Sequence, residues 1–355
     1  MRALVLHAPG DARIEERPEP EPPGPGEVTI RITRAGLCGT DASEYAAGPV
    51  MTPLKSPHPV TGVVGPIVLG HEFIGEVEEV GSEVHRLAAG NRVAAGAGVW
   101  CGRCDWCLRG QTNLCRYYWT FGLSADGGLT ERLNVPAAML HPVAGHVSDD
   151  NAALAQPLAV GMHAVERSRI RPGDVVVVHG AGAIGSFIVA GAVAAGAGAV
   201  VAVDVDPGRL EVARQLGASH TVDAREGDPL DVLRELGGAG QADVTVEASG
   251  LADGMSRVQR LTRRGGTILL VGLPKKHVSF DSVDLILREI DVMTTVAHVC
   301  DRNLPAALAL LAERDLASLL VEKVVPLDRA IDDALVPLAQ GAARGKLLVD
   351  PQATA

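Results

Sequence analysis

VVVVHGAGAIGSFIVAGAVAAGAGAVVAVD, residues 175–204, is the stretch whose reading decides the fold. From Val175 to Val203 it holds no Asp, Glu, Lys or Arg, a length that would suffice for a membrane span. Glycines at 180, 182, 185, 191, 196 and 198 argue against a span. The β-branched runs Val175–Val178 and Val200–Val203 read instead as buried parallel strands on either side of a helix. Gly180, Gly182 and Gly185, with Ala183 and Ile184 between them, form GAGAIG directly after the first strand. That spacing predicts a tight turn, close approach of backbone to a pyrophosphate, and the pyrophosphate at the positive end of the next helix. In a chain with 41 glycines the motif alone is weak, and its place between strand and helix makes it specific. Asp204 ends the second strand about 20 residues on, where a carboxylate meets an adenosine ribose. Its charge would oppose a 2′-phosphate, which predicts NAD rather than NADP; Arg209 nearby is the counter-signal. Val271, at the end of a later candidate strand over 267–271, completes the cofactor-binding set.

The alternation continues outward from this unit. A helix is expected over 208–216 and strands over 243–247, 267–271 and 291–296, enough for a doubly wound sheet of about six strands. ALAQPLAVGMHAVERSRI, 153–170, reads as the helix leading in. Upstream the pattern is short and β-rich, with strands at 3–6, 28–35, 73–80, 92–95 and 129–135 separated by Pro/Gly loops, which suggests an irregular barrel. Beyond His298 a helix over 304–313, a strand over 321–325, a helix over 327–338 and the closing GKLLVD, 345–350, are expected to return to it. A chain of 355 residues exceeds the roughly 250–300 at which one core stops growing, so two domains are expected: 1–150 with 299–355, and 151–298.

Net charge of -11 and the lack of a Lys/Arg run exclude a nucleic-acid or anionic-membrane surface and leave a small-molecule partner. MRALVLHAPG at the N-terminus has no signal-like apolar run, which places the chain in the cytoplasm.

Two further stretches carry metal chemistry. GHEFIGEVEEVG, 70–81, sets His71 and Glu72 at the entrance to a strand, where they can supply one zinc ligand and either a second ligand or its partner. Cys101, Cys104, Cys107 and Cys115 in CGRCDWCLRGQTNLC suffice for an all-sulfur tetrahedral shell within a lobe spanning 99–116. An iron–sulfur cluster fits less well, because no Pro follows the last Cys. A closed four-sulfur site leaves no open position, so it is expected to hold the lobe in shape while other ligands serve catalysis.

Taken together, CGTD at 38–41, GHEFIGEVEEVG, the four-cysteine lobe, PLAVGMHA at 157–164, GAGAIG and GKLLV closely resemble the zinc-containing alcohol dehydrogenases of the medium-chain dehydrogenase/reductase family. SEYAAGP at 43–49 and PHPVTGVVGPIVLGHE at 57–72 look most like its 2,3-butanediol and sorbitol dehydrogenase branch. The resemblance implies a GroES-like β-barrel catalytic domain beside a Rossmann domain, two zincs per chain and a homo-oligomer, dimer or tetramer. It implies that Cys38 and His71 bind the catalytic zinc, that Asp41 orients His71, and that Thr40 passes the substrate proton toward the nicotinamide ribose. Glu72 either ligates the metal or backs it. Two positions depart from the branch: Gln156 stands where a glutamate is usual, a neutral and weaker zinc ligand, and Ser43 where a relay histidine is frequent. The expected reaction is hydride transfer between a secondary alcohol or vicinal diol and NAD, with polyol or sugar oxidation as the alternative. A dinucleotide-binding protein without catalysis is the alternative of another class; Cys38 and His71 beside Thr40 and Asp41 speak against it.

Overall fold

The computed structural model describes residues 1–237, 240–274 and 276–354. The chain divides into two compact units, Met1–Gln156 with Val299–Ala355, and Pro157–His298.

In the second unit six strands form one parallel sheet, ordered His220–Asp223, Ala199–Asp204, Val175–His179, Ala242–Glu247, Thr262–Leu270, Asp291–Thr294. Counted along this unit the order is 3-2-1-4-5-6, with the reversal beside the first strand, where a doubly wound sheet binds its ligand. The strand Val175–His179 and the helix Ala183–Ala194 lie where the glycine motif predicts them. Its central valines are fully buried, as strands covered on both faces require. His220–Asp223 has no counterpart in the sequence reading because it is a short edge strand with one buried apolar residue, Val222. The helix read over 153–170 forms as Ala155–Ser168, preceded by the short helix Asp149–Ala152.

In the first unit the long strand Glu27–Gly36 is the hub. It pairs antiparallel with Glu72–Val80, with Arg132–Pro136 and with the C-terminal strand Lys346–Asp350. Leu140–Pro142, Arg92–Ala95 and Val321–Pro326 complete a seven-stranded sheet, and Arg2–Ala8 carries a smaller one with Asp11–Glu16 and Ile67–Val68. Leu4, Leu6, Ile30, Ile32, Phe73, Val93 and Leu129 fill the core they share. The helix read over 327–338 forms only as successive short turns, Leu327–Arg329, Ile331–Leu335 and Val336–Ala339. Pro337 lacks the N–H that a continuous helix would use.

Candidate active site

The strand pair Glu27–Gly36 and Glu72–Val80 ends on the register Gly36↔Glu72. Residues just past that end therefore emerge together: Cys38 from one strand and His71 from the other. Ligand atoms of Cys38, His71 and Glu72 all lie within 4.8 Å of one another, with His71 and Glu72 buried. Gly70 makes the turn into His71 with φ +97°, and a Cβ there would stand 2.9 Å from the Leu129 backbone nitrogen.

Asp41 ties the site to the helix Gly39–Ala47. Its Oδ2 accepts from the Cys38 backbone N–H at 2.9 Å, closing a capping box, and its Oδ1 lies 3.6 Å from His71 Nδ1. Burial disfavours charge on Asp41, yet His71, the Cys38 N–H and the Lys346 ammonium together hold its pKa below the ordinary value. Burial likewise opposes charge on His71, but Asp41 and Cys38 draw its pKa well above the usual histidine value. A largely buried spot that favours positive charge, with one half-buried thiol, one imidazole and one carboxylate converging, fits a zinc ion. Thr40 Oγ1 lies 3.7 Å from Cys38 Sγ. Ser43 is spent locally, donating its hydroxyl to the Gly39 carbonyl at 2.9 Å. Gln156 is buried near the start of the helix Ala155–Ser168, in the same unit.

Lys346 belongs to this site and escaped the sequence reading. It is buried, ion-paired with Glu72, and donates to the Leu37 carbonyl at 2.9 Å. The ion pair raises its pKa although burial opposes it. Gly36 leaves the room: a Cβ there would stand 2.4 Å from Glu72 Oε2 and 3.3 Å from the lysine Cε. The signal was the one charged residue in GKLLV, but pairing it with Glu72 needs the strand order.

The four-cysteine lobe forms around the turn Asp105–Leu108. Cys104 Sγ lies 3.5 Å from Cys107 Sγ and 3.9 Å from Cys115 Sγ, and all four thiols are free. Four sulfurs about 2.3 Å from one zinc stand about 3.8 Å apart, so the spacing is that of a metal shell rather than a disulfide. Backbone N–H groups of Cys107 and Arg116 push the Cys104 thiol down to about 6, whereas burial pushes Cys107 up to about 12. Sulfurs this close resist ionising together, and a dication would relieve that.

In the second unit Gly180, at φ +100°, has no room for a Cβ, which would stand 2.7 Å from the Ser249 nitrogen; one at Gly185 would strike the Gly180 carbonyl at 1.8 Å. The two glycines pack on protein. Gly182 is different, since a Cβ there would meet only Arg209 Nη1 at 4.0 Å, and the helix Ala183–Ala194 starts at this residue with no side-chain cap. Free N–H groups beside open space fit a pyrophosphate. Ala183 is exposed and Ile184 half-buried at this helix start. Asp204 is held by the N–H groups of Ala181 at 2.7 Å, Val205 at 2.8 Å and Asp206 at 3.0 Å, with Arg209 Nη1 3.9 Å from its Oδ2. Val271 falls one residue beyond the strand Thr262–Leu270, its N–H donated to the Glu247 carbonyl.

Comparison with known proteins agrees with this architecture. The alcohol dehydrogenase GroES-like domain model matches residues 24–145, and the zinc-binding dehydrogenase model matches residues 183–313. An (R,R)-butanediol dehydrogenase of Bacillus subtilis is 32% identical over 354 residues, covering 99% of this chain and 100% of that protein. Human sorbitol dehydrogenase is 33% identical over 334 residues, 93% of this chain and 90% of its own. The structure of a Sinorhizobium meliloti 1021 protein described as a zinc-binding dehydrogenase, bound to NADP, superimposes with TM-score 0.85 at 30% identity, covering 99% of both chains. With relatives matched along nearly its whole length, the chain belongs to the zinc-containing alcohol dehydrogenase family of oxidoreductases.

Proposed function

We propose that this enzyme oxidises a secondary alcohol or vicinal diol with NAD, carrying one catalytic and one structural zinc per chain. The observation that supports this most directly is the convergence of half-buried Cys38 with buried His71 and Glu72, and Thr40 beside them. Zinc at that cluster would supply a Lewis acid that lowers the pKa of the substrate hydroxyl, and NAD the hydride acceptor. Asp41, facing His71 Nδ1 at 3.6 Å, would orient the ring by charge and leave the other nitrogen for the metal. Thr40 is placed to receive the hydroxyl proton, and with Ser43 bonded back to its helix the proton then leaves to water. Lys346 holds Glu72 and sets how far the carboxylate can reach toward the metal. Gln156 serves as the neutral fourth donor.

Polyol oxidation is the second reading, supported by the similarity to sorbitol dehydrogenase. A panel of vicinal diols, polyols, sugars and cyclic alcohols, followed by absorbance of the reduced cofactor, separates the two. Highest kcat/KM on 2,3-diols is expected, and a preference for sugars overturns the diol assignment.

Asp204 supports NAD because its carboxylate, held by three N–H groups at the end of the second strand, would meet a 2′-phosphate charge to charge. Asp204→Ser is expected to narrow the ratio of kcat/KM for NAD over NADP by about tenfold or more, one repulsive contact of roughly 1.4 kcal/mol. Equal efficiency of the parent enzyme with both cofactors would refute the assignment.

Gln156 leaves Cys38 and Glu72 as the anionic ligands, and a glutamate in its place adds negative charge that disfavours an ionised alcohol. Gln156→Glu is therefore expected to raise the apparent pKa in the pH dependence of turnover. A profile that overlays the parent with zinc content unchanged would show that Gln156 faces away from the metal.

Self-association is proposed through the edge strand Asp291–Thr294, whose surroundings expose Val283, Ile286, Leu287, Val292 and Val296. The cysteine lobe, built for metal, suits the reducing cytoplasm.

A further inference from the structure

Outside both zinc sites, a third cluster of ligating side chains forms in the first unit. His141, Cys300 and Asp301 each offer a ligand atom within 4.8 Å of the other two. His141 is the middle residue of the strand Leu140–Pro142, opposite Ala94. Cys300 and Asp301 open the helix Cys300–Glu313, where the chain re-enters this unit. The cluster thus joins two segments about 160 residues apart. Cys300 is 2% exposed, His141 is half-buried and Asp301 faces solvent, so an ion could enter past the carboxylate.

The geometry is that of a metal shell. Cys300 Sγ lies 3.7 Å from His141 Nε2 and 3.7 Å from the Met139 carbonyl oxygen. A tetrahedral zinc about 2.3 Å from sulfur and about 2.0 Å from nitrogen puts those ligand atoms about 3.5 Å apart. Sulfur and nitrogen already stand at nearly that spacing, and their backbones are fixed by a strand on one side and a helix on the other. Charge also permits it. A thiolate and a carboxylate bring two negative charges, and burial with the Asp301 carboxylate pushes the metal-free Cys300 thiol up to about 12; the Arg86 guanidinium, which acts on both Cys300 and His141, offsets one charge, and the helix N-terminus about half of another. The remainder is negative but smaller than at a site without a resident arginine, which points to exchangeable rather than permanent binding.

We propose that His141, Cys300 and Asp301 form a third metal site, taking a zinc-class divalent cation with water in the fourth position and clipping the helix Cys300–Glu313 to the strand Leu140–Pro142. The cobalt(II) ion tests it, because a cysteine ligand gives a thiolate-to-cobalt charge-transfer band in the near ultraviolet. Zinc-loaded enzyme freed of loose metal, titrated with cobalt(II), should develop that band with one equivalent bound and a rise in Tm. Cys300→Ala should abolish both, and Asp301→Asn should weaken binding by at least about tenfold, no less than loss of an outer partner costs. Should Cys300→Ala fail to fold, His141→Ala removes a ligand from the other segment and carries the same expectation. The proposal is overturned if no band appears, or if an equal band persists in the folded variants, which would mean cobalt exchange into the two zinc sites.

Discussion

Cys38→Ser should leave a folded protein that has lost about 10³-fold or more in kcat/KM and retains one zinc instead of two. The loss follows from the donor set: without the thiolate the cluster keeps one imidazole, the proposed neutral donor Gln156 and a carboxylate already paired to Lys346. Lewis-acid stabilisation of developing charge amounts to several kcal/mol, and about 1.4 kcal/mol is one decade of rate. The fold should survive because Cys38 caps its helix through its backbone N–H, which donates to Asp41 whatever the side chain. Metal analysis, circular dichroism and initial rates on one preparation check this. Turnover within tenfold of the parent with two zincs per chain retained would exclude Cys38 as a ligand.

Cys104→Ser is expected to do the opposite, damaging the fold before the chemistry. The lobe is held by little besides its sulfurs: its α-helical turn, Asp105–Leu108, buries no residue, and the 3-10 turn Thr112–Leu114 buries only Thr112. Zinc binding to such sites is worth about 10–16 kcal/mol in isolated peptides, so most of the lobe's order depends on it. Expected results are loss of one zinc, rapid proteolysis within 99–116 and a Tm lowered by several degrees; in the soluble fraction that keeps its catalytic zinc, kcat should change less than threefold. Protease resistance equal to the parent would show that the lobe stands without metal.

Between these two sites lies the difference between what could be read along the chain and what could not. The four-cysteine lobe and the dinucleotide cradle are local: their ligands and glycines sit within about one supersecondary unit, and the spacing that the chemistry needs is written in consecutive residues. Strands with strong apolar runs, such as Val175–His179 and Arg92–Ala95, were legible for the same reason, whereas the polar edge strand His220–Asp223 was not. The short turns of 327–339 were misread because their apolar spacing is helical while Pro337 interrupts the backbone bonding.

By itself the sequence determined the α/β class, the family and the candidate metal-ligating residues. The resemblance implied that Cys38 meets His71 and Glu72; tertiary structure supplied the means, the register Gly36↔Glu72 across an antiparallel pair. It alone decided that Lys346 is buried against Glu72, because the C-terminal strand inserts beside Gly36 with Leu348 opposite it. It alone brought His141 to Cys300. The physical reason is common to all three. Side-chain periodicity reports which face of an element is buried, but contacts between residues 30 to 300 positions apart depend on which strands pair and in what register, and periodicity does not encode that.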